Sequence, residues 1–135
     1  MGGKRRTLVL LLAAIGFGAA ALAACDRYAD DIDAVKVAES VVPGKTNEVL
    51  TIDIAGARGT VEWNGGPAPQ YESPDIVAVA AVIKRIGASG KRHVVELDFV
   101  HNRQTKRVAF DGAKLDGQKQ DLVTGAMNMF LMQLE

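Results

Sequence analysis

An uncharged run of 17 residues, Leu8 to Ala24, separates Lys4, Arg5 and Arg6 from Cys25, the only cysteine of the chain. An apolar block with a basic flank belongs to membrane translocation rather than to a domain core. The basic residues stay cytoplasmic because moving charge through a bilayer is unfavourable, and Leu8 to Ala14 supply the apolar centre. Gly16, Gly18 and the alanines between 19 and 24 then reduce side-chain volume, which suits a peptidase that grips extended backbone. One cysteine permits no disulfide within the chain, so the exported part must fold without staples.

The end of this run, Leu22-Ala23-Ala24-Cys25, resembles the lipobox of bacterial lipoproteins. The resemblance implies cleavage before Cys25, acylation of that residue by diacylglycerol and palmitate, and a periplasm-facing domain on a lipid anchor. Asp26 is similar to the signal by which enteric bacteria retain lipoproteins in the inner membrane; elsewhere the sorting rule differs, and inner and outer membrane both stay open. Two other readings remain. The apolar run is at the lower limit for crossing roughly 30 Å of hydrocarbon as an uncleaved anchor, and Ala19-Ala20-Ala21 offers a plain secretory cleavage site. Arg5-Arg6 hints at twin-arginine export, but little else of that signature follows.

Removing residues 1–24 leaves 111 residues with 13 basic and 16 acidic side chains, a net charge of −3. That length suits one domain with a real core. A weakly acidic domain is poorly matched to nucleic acid, whose affinity comes from neutralising phosphates with a basic face. Residues 25–34, with Asp26, Asp30, Asp31 and Asp33, are expected to form an acidic tether, and 35–135 the domain.

Within 35–135, Pro43-Gly44 marks a turn. Thr46 to Ala57 reads two ways: Leu50, Ile52 and Ile54 alternate as in a half-buried strand, whereas Thr46 would cap a helix running to Gly56 or Gly59. Gly59 to Trp63 reads as a short strand or its approach, stopped by Asn64-Gly65-Gly66-Pro67-Ala68-Pro69. Ile76 to Ile86, rich in valine and isoleucine, is expected to be the central strand. After a turn at 87–90, Val95, Leu97 and Phe99 alternate with Glu96 and Asp98, and Thr105 to Phe110 returns as a third strand. Asp111-Gly112 and Asp116-Gly117 are turn dipeptides. From Gln118 to Glu135, Leu122, Val123, Ala126, Met127, Met129, Phe130 and Leu134 recur at helical spacing. These elements predict an α+β domain, a three-stranded antiparallel meander packed with a C-terminal helix and a short N-terminal helix.

Little in this sequence carries chemistry. His93 and His101 fall on one strand face but about 26 Å apart at roughly 3.3 Å per residue, too far to share a metal ion. Ser40, Ser73 and Ser89 lack the context of an activated nucleophile. Glu96 and Asp98 are expected to pair with Lys91, Arg92, Arg103 or Lys106 on a wet face. Thioethers can bind cuprous ion, yet Met127 and Met129 would stand about 200° apart on a helix, and methionine fills cores readily. The expectation is therefore a protein with no enzymatic activity, metal or cofactor. Trp63, Pro67, Pro69 and Tyr71, grouped around a glycine- and proline-rich loop, are the candidates for protein binding, together with an exposed strand edge.

The order of a turn, Trp63, a valine-rich strand, Lys91 to Phe99, and Val108 to Gly117 resembles short proteobacterial lipoproteins of unassigned function over roughly residues 35–117. That likeness favours the helix over 46–57. In layout alone the domain is similar to small outer-membrane assembly lipoproteins that pack two helices on a three-stranded meander. Neither group carries over a catalytic residue. The function expected is that of a lipid-anchored envelope lipoprotein acting as an adaptor or assembly component with an envelope protein as partner. The alternative is a periplasmic small-molecule or metal carrier whose pocket is lined by Val95, Phe99, Met129 and Phe130. Cys25→Ala should move the protein out of washed membranes without unfolding its domain, as fractionation and circular dichroism would show; firm retention in membranes would mean an uncleaved anchor instead.

Overall fold

The computed structural model of the protein describes residues 27–121. Two helices, α1 (Ala29–Val37) and α2 (Asn47–Ala55), precede β1 (Thr60–Pro67), β2 (Ile76–Ile86), β3 (Arg92–Asn102), β4 (Val108–Leu115) and β5 (Gln118–Gln120). A 3-10 turn, Pro69–Tyr71, lies between β1 and β2. The five strands pair antiparallel in chain order. This corrects the expected three-stranded meander with a C-terminal helix: residues 118–120 of that proposed helix form β5, and 122–135 lie outside the described residues.

The helix over 47–55 forms for the reason its start suggests. Thr46 is extended, and its hydroxyl accepts a bond from the Val49 amide at 3.3 Å. Asn47, Leu50, Thr51, Ile54 and Ala55 then turn to the core, while Val49 and Ile52 remain exposed. The 50-52-54 alternation is incidental, because Ile52 has no sheet neighbour to cover it. Gly56 ends the helix with a φ of +73°, a conformation that disfavours a side chain.

Helix α1 overruns the expected tether. Its buried positions, Asp31 and Val35, are one turn apart, with Tyr28 and Ile32 packed beside them. The Asp31 carboxylate is what allows an acidic stretch to dock. Oδ1 accepts from His101 Nδ1 at 2.7 Å and Arg103 Nε at 3.1 Å, and Oδ2 from Arg103 at 2.7 Å. Asn47 Nδ2 meanwhile donates to Val35 O at 2.9 Å, linking the two helices.

Both helices cover one face of the sheet. Val77, Val79, Ala81 and Ile83 of β2 and Val95, Leu97 and Phe99 of β3 point into this layer and are buried. Three strand expectations need correction. First, Ile76–Ile86 is a strand as expected, but β3 holds the centre of the sheet. Second, β1 does not stop after Trp63: Asn64, Gly65, Gly66 and Pro67 pair with Ala80, Val79, Ala78 and Val77. An edge strand tolerates proline, and Gly65 is needed because a Cβ there would lie 2.4 Å from Tyr28 Cβ. Third, Asp111-Gly112 is no turn. Pairing jumps from Asp98↔Gly112 to Phe99↔Phe110, leaving Asp111 as an extra residue. That bulge lets Phe110 and Ala113 share the covered face although they are three apart. Asp116-Gly117 does form the β4–β5 turn, both with positive φ.

Asp31→Asn should lower the unfolding free energy by about 2–3 kcal/mol, the scale of losing hydrogen bonds to a buried charged group, as urea denaturation would measure. Burial alone would raise the pKa of Asp31, but bonds from Arg103 and His101 outweigh it and hold the pKa below 3.8. The ionised group therefore stabilises the fold at pH values above 3.8, and the gap between wild type and variant should narrow as the pH falls below that value.

Candidate functional site

The structure does not bring Trp63, Pro67, Pro69 and Tyr71 onto one surface. Trp63 points into the helix-covered layer. Its ring stacks on Phe99 at 6.2 Å, Phe99 meets Phe110 edge-on at 5.7 Å, and Lys36 Nζ lies 5.8 Å from the indole centre. Ala81, the cross-strand partner of Trp63, is too small to keep it from Phe99. The indole is thus covered by α1 and, partly buried, packs against the core. Tyr71 remains 40% exposed, with its hydroxyl donating to Asp111 Oδ1 at 2.6 Å. Only Pro67 and Pro69 meet, at a cavity of about 360 Å³ that they share with Tyr28, Pro74, Arg27 and Arg103. Both guanidinium groups lie against the Tyr28 ring, at 5.7 and 5.9 Å from its centre.

Cys25 and Asp26 lie outside the described residues, as do Met127, Met129, Phe130 and Met132. The carrier-pocket residues Val95 and Phe99 are both buried in the core beneath the helices. Each histidine faces a carboxylate: His93 Nδ1 lies 2.9 Å from Asp116 Oδ2, and His101 belongs to the Asp31 cluster.

The sheet's other face carries the charged pair seen in the sequence, with different partners. Glu96 meets Lys114 at 3.5 Å across β3–β4, while Arg103 has gone to Asp31. Asp98 is half-buried, and its pKa is pushed up to about 7 by burial and by the adjacent Glu96 carboxyl. Small residues surround it: Gly66, Ala78 and Ala80 on neighbouring strands leave a shallow depression of about 310 Å³.

The feature best placed for recognition is the outer edge of β1. Order β1-β2-β3-β4-β5 leaves β1 with one paired side. No backbone hydrogen bond reaches residues 60–67 from outside the sheet among the described residues. Eight residues at roughly 3.3 Å each give an edge of about 26 Å. Thr60, Glu62, Asn64 and Pro67 along it are exposed. An open edge of this kind can add an extended segment through main-chain hydrogen bonds, with alternate side chains setting specificity. Sequence reasoning named an edge without placing it; Gly65-Gly66-Pro67, tolerable in a strand only at a border, was the signal that it lay here.

Comparison with protein-family models, curated proteins and solved structures finds no match for this chain. Its function must be argued from the residues.

Asp98→Asn should raise the melting temperature at pH 8, with the gain fading between pH 7 and 4. The native state holds a proton on Asp98 up to about pH 7 that the unfolded chain releases near 3.8. Wild-type stability therefore falls as the pH rises across that window, and the variant is spared the loss. Thermal melts at pH 4, 6 and 8 would check this.

Proposed function

We propose that this protein is a lipid-anchored envelope lipoprotein, acylated at Cys25, whose domain acts as a non-enzymatic adaptor by accepting an extended segment of an envelope protein on β1. The anchoring half of the reading is supported by the basic flank, the apolar run and Leu22-Ala23-Ala24-Cys25. The binding half rests on one observation, the unpaired backbone edge of Thr60–Pro67. Trp63 has no place in this contact surface, because its ring lies against Phe99. Pro67 limits the site at one end, since it offers no amide to a partner strand.

The test is photocrosslinking in intact cells, with the reactive residue in place of Asn64 on the β1 edge or of Lys106 in the β3–β4 turn. Position 64 should give a discrete adduct with one envelope protein, and position 106 should not. No adduct at 64, or the same adducts from both positions, would remove the edge-binding reading.

A further inference from the structure

The end of the sheet opposite Pro67 and Arg27 holds a cavity of about 440 Å³, within the range of small-ligand sites. Register explains how its lining assembles from three separated stretches. Thr60 pairs with Lys84, Lys84 with Val94, and Ile86 with Arg92, so Lys84 and Arg92 are diagonal neighbours on one face. Arg58, just before β1, is drawn over the same end by a bond from its guanidinium to Gly87 O at 3.1 Å. Three exposed cations, one hydroxyl and two apolar side chains thus line one concavity, with Arg85 and His93 also at its border.

Among the described residues Arg27, Lys91, Lys106, Arg107 and Lys119 make no ion pair, and the three exposed cations gathered here are like them. Lys36, Lys45, Arg103 and Lys114 each lie against a carboxylate. Arg58, Lys84 and Arg92 have no ion-pair partner among the described residues. By register Glu62 and Glu96 are diagonal neighbours of Lys84, and Asp116 follows beside Arg92; Glu96 is engaged by Lys114, and Asp116 by His93 Nδ1 and the Val94 amide. Arg85 also borders the cavity, but its side chain points to the helix-covered face, opposite Lys84 and Arg92. It is 7% exposed, donates to Ile54 O at 2.8 Å, and its Nε is buried without a hydrogen-bond partner among the described residues. Three like charges gathered at one end of the sheet, in a mature chain of net charge −3, create a local positive potential that favours a bound anion.

We propose that this cavity is a binding site for a multivalent oxyanion, a phosphate or a carboxylate-bearing group, held by Arg58, Lys84 and Arg92 with the Thr60 hydroxyl as a further donor. Ile86 and Val94 would receive an apolar part of the same ligand. The site shares Thr60 with the β1 edge but does not depend on a partner strand there, nor on the lipid anchor.

The test is titration calorimetry on the full chain in neutral detergent at low ionic strength, with inorganic pyrophosphate and citrate as separate probes. One or both should bind and weaken as salt is added, and whichever binds assigns phosphate or carboxylate chemistry. Lys84→Gln with Arg92→Gln should reduce affinity ~10-fold or more, the scale of losing charge-assisted hydrogen bonds. Lys106→Gln, in the β3–β4 turn, should leave it unchanged. Circular dichroism of each variant guards against misfolding. Binding of neither anion, or equal binding by wild type and the double variant, would overturn the proposal.

Discussion

The Asp31 carboxylate is the joint on which the helical layer depends. A nine-residue helix is too short to persist alone in water, and α1 has only a narrow apolar stripe. Its position is set where Asp31 meets His101 at the last turn of β3 and Arg103 just beyond. Once α1 is held there, Tyr28 rests over Gly65, Lys36 closes over Trp63, and Val35 O accepts the Asn47 side chain that orients α2. Because Arg103 is partly exposed while Asp31 is 1% exposed, the pair desolvates one charge more than the other. Its value lies in fixing the helix as much as in net energy.

This joint also shows why part of the fold was hidden in the sequence. Strands β2 and β3 were legible because long alternation or valine-rich runs admit few other solutions, and α2 announced its cap at Thr46. For α1 the signal was present in Tyr28, Ile32 and Val35, spaced four and three apart, but four aspartates between 26 and 33 gave the stretch the look of solvent-facing chain. Nothing local says that Asp31 alone turns inward, since both its partners lie some 70 residues away. The bulge at Asp111 was missed for the opposite reason. Asp-Gly is a strong turn signal, and only the switch of inward positions from Val108 and Phe110 to Ala113 and Leu115 betrays an inserted residue.

The candidate sites divide in the same way. An aromatic near a glycine- and proline-rich loop suggests a surface anchor, yet Trp63 sits at an inward position of β1 and the small Ala81 opens the way to Phe99. Pro67 and Pro69 do border a cavity, but its other walls, Arg27, Tyr28 and Arg103, come from both ends of the chain. The basic end is less legible still. Arg58, Lys84 and Arg92 lie on three segments with no common motif, and only strand register, with the bond from Arg58 to Gly87 O, brings them together.

Among the described residues the two edges of the sheet are unlike. At one side β5 is three residues long and carries Lys119, which is how proteins commonly blunt an edge against unwanted pairing. At the other, β1 runs for eight residues, with Pro67 at its terminus rather than in its middle and Glu62 as its one charged side chain. Its pleat is packed from beneath by Tyr28, Val61 and Trp63, so the edge is supported as well as open. An edge already held in a sheet loses little entropy on pairing, because the incoming segment is what has to become ordered. It is also a hazard in any compartment crowded with unfolded chains. A β1 that is long, supported and weakly charged fits a strand whose edge is occupied during function, which is the physical ground for reading this domain as an adaptor.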